Sequence, residues 1–114
     1  MVTITQGREE GREEGREGQT VMTTFEVTPA NCEALLDALA AAYAEVISRQ
    51  PGFLGAAIHV NDARTRVANY SQWDSREAYQ AMLRTEEMRA RHAAITDLCR
   101  SFEPVMVEVR AVFP

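Results

Sequence analysis

The sequence predicts an α+β domain of the ferredoxin-like, split βαβ kind: one antiparallel sheet with helices packed on one face. Three observations predict it. Short β-rich runs and amphipathic helical runs follow one another in the order β–α–β–β–α(α)–β. The breaks between them fall on Pro, Gly, Asn and Asp. The chain has 114 residues, 46% hydrophobic and 25% charged, which suits one globular domain and is too short for two.

Residues 7–18 read GREEGREEGREG, and no apolar residue lies between Ile4 and Val21. A glycine in every helical turn costs about 1 kcal/mol each against alanine, and the segment has no face to bury. Residues 1–19 are therefore expected to form a flexible arm, with the domain running over 20–114. Val21 to Val27 reads as the first strand, ended by Thr28-Pro29. Pro29 suits the first helical position, with Thr28 as N-cap. Leu35, Leu36, Leu39, Tyr43, Val46 and Ile47 recur at helical spacing, so a helix runs to about Arg49, and Gln50-Pro51-Gly52 breaks it.

Phe53 to Val60 is a second strand, residues 61–65 a hairpin turn, and Arg66 to Trp73 a third strand. Asp74 and Glu77 have capping-box spacing and open a helix through Ala78, Tyr79, Met82 and Leu83. Thr85-Glu86-Glu87 opens another through Met88, Ala94, Ile95 and Leu98. Pro104 is expected to close the helical region, and Val105, Val107 and Val109 then alternate as the last strand. Strict alternation along the second strand puts Phe53, Ala57 and His59 on one face and Leu54, Ile58 and Val60 on the other. Both faces are largely apolar, and with Met106 and Val112 the second face is expected to pack on a second copy of the chain.

The net charge is −5 and every basic residue is Arg, so a nucleic-acid-binding face is not expected. No apolar run approaches the ~20 residues of a membrane span, and no apolar stretch of a signal peptide follows the start, so a cytoplasmic protein is expected. Cys32 and Cys99 have no metal-type spacing and read as small, reduced, half-buried hydrophobes. Ser-His-Asp order, a glycine-rich phosphate loop and paired carboxylates are all missing, which leaves hydrolase and nucleotide chemistry without support.

On the third strand Asn69, Ser71 and Trp73 share a face. A carboxamide beside a flat indole suits a planar, oxygenated aromatic ligand, which needs a surface to stack on and a few polar groups to orient it. The plainer alternative is that Trp73 anchors the core and Asn69 is a satisfied buried amide.

Gln50-Pro51-Gly52-Phe53, His59, then Asn69-Tyr70-Ser71-Gln72-Trp73 and Ser75-Arg76-Glu77-Ala78-Tyr79, in this order and at this spacing, resemble the antibiotic biosynthesis monooxygenase domain. The resemblance is nearest to the small quinone-forming enzymes of aromatic polyketide pathways and covers about residues 21–112. It implies a dimeric α+β barrel. It also implies a monooxygenase that oxidises an electron-rich phenol or anthrone with O2 and without metal, flavin or haem. Asn69 and Trp73 would be the catalytic pair. Phe53, His59, Tyr79, Thr23 and a third-helix arginine, taken as Arg91 rather than Arg89, would contact substrate. His59 or Tyr79 would relay a proton. Two other readings share the fold. One is a non-catalytic ligand-binding dimer. The other is a haem-degrading enzyme, for which His92 matches a ligand position while Thr23 and Met82 replace the Asn and Trp such enzymes use.

Overall fold

The computed structural model describes residues 18–114, and four strands form one antiparallel sheet in the order β2-β3-β1-β4. They are β1 (Gln19–Glu26), β2 (Phe53–Val60), β3 (Arg66–Trp73) and β4 (Ser101–Val107). The expected arm lies outside the described residues except for its last two positions, and Gln19 already belongs to β1. Helix α1 (Pro29–Glu45) joins β1 to β2, and α2 (Arg76–Leu83) and α3 (Glu86–Thr96) join β3 to β4. This is the ferredoxin-like α+β arrangement that the element order predicts.

Val21, Phe25, Val67 and Trp73 on the sheet meet Leu35, Leu39 and Ala42 of α1, Tyr79 and Met82 of α2, and Met88 and Ile95 of α3 to form the core. All three helices therefore cover the same face. The first begins as the sequence implies, with Pro29 in its first turn, although Thr28 makes no side-chain cap. After Glu45 a single 3-10 turn, Ile47–Arg49, carries the chain to Gly52. At Gly52 φ is +88°, and a Cβ there would stand 2.6 Å from both Ala78 Cβ and Asp74 Oδ1. Glycine is needed twice, for the left-handed backbone and for the close approach of this turn to α2. Ser75, rather than Asp74, caps α2 by accepting a hydrogen bond from Ala78 N at 3.1 Å. Thr85 caps α3 through Met88 N at 3.2 Å.

Two local features depart from strict alternation, and both matter for the site. β2 has an irregularity between Phe53 and Gly55: Phe53 pairs with Trp73, Gly55 with Gln72, and Ile58 with Asn69. An extra residue in one strand reverses the faces beyond it. Phe53 and Ile58 consequently share the helix-covered face, while Ala57 and His59 turn to the opposite one. The expectation that His59 shares the face of Phe53 is overturned for this reason. The second departure is β4, which starts at Ser101 and includes Pro104. A proline is accepted there because β4 is an edge strand and one side of its backbone has no strand to pair with. In this register Met106 opposes Val21 and packs toward the core. The uncovered face instead carries Met22, Tyr70 and Val105, with Met22 opposite both others.

Candidate active site

Asn69 lies in the middle of β3, opposite Thr23 of β1 and Ile58 of β2, and it points under the helices. It is 8% exposed, and its carboxamide has no hydrogen-bond partner among the described residues. The sealed side-chain groups without a partner among the described residues are Thr20 Oγ1 and the Gln72 amide on the other side of the sheet, whereas the Asn69 amide borders open space. Asn69 lines a cavity of about 160 Å3 between the sheet and the three helices. Thr23, Ser71, Tyr43, Tyr79 and His92 supply the other polar groups of its wall. Phe25, Leu39, Met82, Met88, Ile95 and Phe102 make the rest apolar. A few convergent polar groups in an apolar hollow is the usual form of a small-molecule site.

Trp73 has no exposed surface and stands behind this wall. Its ring meets Phe53 edge-on at 5.3 Å and Tyr79 at 5.8 Å, and its Nε1–H donates to Ser71 Oγ at 3.1 Å. The indole thus orders three neighbours, of which Ser71 and Tyr79 face the cavity. Burial pushes the Tyr79 hydroxyl above the usual tyrosine range. Burial also pushes Tyr43 up to about 12, a rise that the nearby Ser71 hydroxyl partly offsets. Both phenols are therefore protonated at neutral pH and present themselves as donors.

The remaining candidates lie elsewhere. His59 is on the uncovered sheet face, where its Nδ1 is 3.2 Å from the Ala68 carbonyl oxygen. Arg91 turns from the cavity and forms an ion pair with Glu45 of α1. That contact holds the Glu45 carboxyl below its usual range. Phe53 reaches the site only through Trp73 and through Tyr43, whose ring is 6.3 Å away. His92 does line the cavity, at its mouth, with its ring edge-on to Phe102 at 5.1 Å. One polar lining residue escapes a reading of motifs: Tyr43, which looks like one more apolar-stripe residue of α1; Ser71 is placed on the face of Asn69 by the sequence but given no role there. The available signal is chemical, since a tyrosine within an apolar helical stripe brings a hydroxyl that needs a partner.

A wider depression, about 850 Å3, includes His59, Asn61, Arg66 and Glu103. It is broad and open to solvent, and several of its polar side chains are already engaged. Arg66 pairs with Glu26, Asn61 with Thr65, and His59 with the Ala68 carbonyl. The narrower and less open cavity, with an unpaired amide at its wall, is the better candidate. Among the described residues no group of three His, Cys, Asp or Glu side chains is arranged to hold a metal ion, and no helix is long and apolar enough to cross a membrane.

Residues 19–94, from β1 into α3, match the antibiotic biosynthesis monooxygenase family. The tetracenomycin-F1 monooxygenase of Streptomyces glaucescens is 30% identical over 97 residues, spanning 82% of this chain and 83% of that protein. A monooxygenase from the gene ActVA-Orf6 of Streptomyces coelicolor, solved in complex with nanaomycin D, is 30% identical. It superposes with a TM-score of 0.73 over 85% of this chain and 92% of its own. SnoaB, a cofactor-independent oxygenase from Streptomyces nogalater, has the same fold, with a TM-score of 0.70, 23% identity, and coverage of 85% and 97%.

Proposed function

The chain belongs to the antibiotic biosynthesis monooxygenase family, and from that premise we propose that it oxidises an electron-rich polycyclic phenol or anthrone to a quinone with O2, using no cofactor. One observation supports the reading: the Asn69 carboxamide, without a protein partner among the described residues, borders a largely apolar cavity walled in part by aromatic rings. The relatives at 30% identity, one named for tetracenomycin F1 and one bound to nanaomycin D, support a substrate of this class.

O2 is a triplet and reacts slowly with closed-shell molecules, so the first electron must come from the substrate when no cofactor supplies it. A phenol or anthrone provides it once ionised. The protein's work is then to bind the ring, favour the anion and exclude water. Asn69 donates to the anionic oxygen. Tyr79 and Thr23 flank the ring, and Trp73 keeps Tyr79 and Ser71 in position. His92, exposed at the mouth, carries the released proton toward solvent, a role the resemblance assigns to His59 or Tyr79. The anion passes one electron to O2, the two radicals join as a carbon peroxide, and loss of water leaves a carbonyl. A methylene carbon loses four electrons in all; one oxygen atom stays in the carbonyl and the other leaves as water.

The cavity, at about 160 Å3, is smaller than the roughly 300 Å3 at which pockets for drug-sized ligands begin. A tricyclic ring must leave part of itself at the mouth or displace Met82, Leu83 and Met88, of which the methionines are readily re-packed. The same volume argues against haem, which is far larger. His92 is present in the wall, yet Thr23 and Met82 stand where haem-degrading enzymes would need Asn and Trp.

Purified protein treated with chelator, and free of flavin or haem absorbance, should convert an anthrone, or a dihydroxynaphthalene with an open para carbon, to its quinone with one O2 consumed and one water released per quinone formed. The rate must exceed a protein-free blank, since such substrates autoxidise. Binding without turnover above the blank would replace this reading with that of a non-catalytic binding protein.

The reading includes a homodimer. Met22 and Val105, adjacent on the uncovered sheet face, are 41% and 44% exposed beside Tyr70. Apolar surface contributes about 25 cal/mol per Å2 when buried, and a second sheet packed face to face is the simplest cover. Sedimentation equilibrium at micromolar concentration should give twice the 12.7 kDa chain mass. A folded monomer there would contradict it.

A further inference from the structure

Met82 stands between the cavity and a second hollow. It is buried near the end of α2 and lines the cavity with Asn69, Tyr79 and Met88. It also lines a hollow of about 280 Å3 between the Gln50-Pro51-Gly52 turn and α2, where Pro51, Ala78 and Ala81 supply apolar surface. That hollow is larger than the cavity, at about 160 Å3. The backbone of Met82 is held, because its carbonyl accepts from Thr85 N at 3.2 Å and from Thr85 Oγ1 at 2.9 Å. Its side chain is unbranched beyond Cβ and can change rotamer without moving that backbone. The aromatic walls lack this freedom. Phe25 stacks on Phe102 at 6.0 Å, and Tyr43 packs on Phe53.

We propose that Met82 is the size-determining residue of the site: its side chain swings into the hollow at the Pro51-Gly52 turn when a ligand of three fused rings binds, and stays in place for a one-ring phenol. The proposal rests on the polycyclic phenol or anthrone reading above. Its physical basis is the space beside the wall. A side chain displaced into a filled core meets the cost of overpacking, whereas one displaced into an existing apolar hollow exchanges one set of contacts for another. Asn69 lies on β3 and Tyr79 is held edge-on to Trp73, so the end of the site that takes the ligand's oxygen does not move with the wall. Large and small ligands therefore share that end and differ only in what they ask of Met82.

The test fills the hollow from outside the cavity. Ala81 is exposed on α2 and lines the hollow without lining the cavity, and leucine is a good helix former, so Ala81→Leu occupies the space without touching the ligand. Two probes are titrated: 4-methylphenol, with one ring, and 1,8-dihydroxyanthraquinone, which has three rings and is already a quinone. Ala81→Leu is expected to weaken binding of the three-ring probe by about tenfold or more, the effect of an overpacked wall, and to leave the one-ring probe within about twofold. In the Met82→Ala protein no long side chain has to move, so adding Ala81→Leu should then cost the three-ring probe no more than about twofold. An NMR readout needs no variant. With methyl-labelled methionine, the Met82 methyl should gain contacts with the Ala78 and Ala81 methyls when the three-ring probe binds, and keep its free-protein position with 4-methylphenol.

Equal losses for the two probes, or the same loss from Ala81→Leu with and without Met82→Ala, would overturn the movable wall and leave the ligand class standing. A Met82 methyl that keeps its position with the three-ring probe bound would do the same. Failure of the wild type to bind either probe would overturn the phenol or anthrone reading and this inference with it. If Met82→Ala does not fold, the comparison of the two probes on Ala81→Leu and the methyl contacts in the wild type decide the matter.

Discussion

Trp73→Ala is expected to destabilise the fold by about 3–5 kcal/mol, the usual cost of emptying a fully buried aromatic site. The indole has no exposed surface and contacts a ring on each side, Phe53 from β2 and Tyr79 from α2. It therefore ties the strand after the Gly52 turn to the helix that follows β3. Its removal leaves a cavity between these elements and takes the Nε1–H bond from Ser71. For a domain of this size the melting temperature should fall by about 15 °C or more, measured at one fixed protein concentration because a dimer's melting point depends on it. Trp73→Phe keeps most of the ring packing and loses only the N–H and some volume, so it should cost about 1–2 kcal/mol. Calorimetry or circular dichroism on the three proteins decides the matter. An alanine variant melting within a few degrees of wild type would mean that Trp73 does not hold the site's elements together.

That structural role and the role in the site are not alternatives, although the sequence presents them as such. The indole is a core anchor, and the site depends on it because it fixes groups that face the cavity. Much of this was legible from local chemistry. β2 and β3 occupy the expected spans, Phe53–Val60 and Arg66–Trp73, because Pro51-Gly52 and the Asn61 turn punctuate them sharply. Asn61 Oδ1 accepts from both Thr65 N and Arg66 N at 2.9 Å, which closes the hairpin. Asn69, Ser71 and Trp73 share a face because nothing interrupts β3 between them.

The parts that were not legible depend on pairing between strands. The irregularity at Phe53 and Gly55 has no composition signal strong enough to mark it, since the one glycine reads equally as a small strand residue. It sends His59 to the far face and brings Ile58 under the helices. Pro104 reads as a stop along the sequence and is tolerated because of where β4 lies in the sheet, a fact of topology. Arg91 has a partner on α1, 46 residues away, that no motif of α3 announces. Tyr43 joins the site because α1 packs over the sheet and brings it to the cavity wall with Asn69 and Ser71, and helical periodicity reports the face but not which groups it meets.

If Asn69 stabilises the negative charge that develops on the substrate's oxygen, the turnover of Asn69→Ala against wild type reads it directly. Loss of one donor to a developing oxyanion lowers the rate by about 10- to 1000-fold. The side chain has no protein partner among the described residues, so its loss should leave the melting temperature nearly unchanged, which separates the effect from that of Trp73. Asn69→Asp has the same shape and places a carboxylate where the anion forms, so it should be at least as slow. The decisive experiment follows O2 consumption and quinone formation for wild type and both variants, at one concentration, each corrected for the protein-free rate. Both variants are expected to be folded, with turnover at least tenfold below wild type. A folded Asn69→Ala protein that matches wild-type turnover would contradict that role of Asn69.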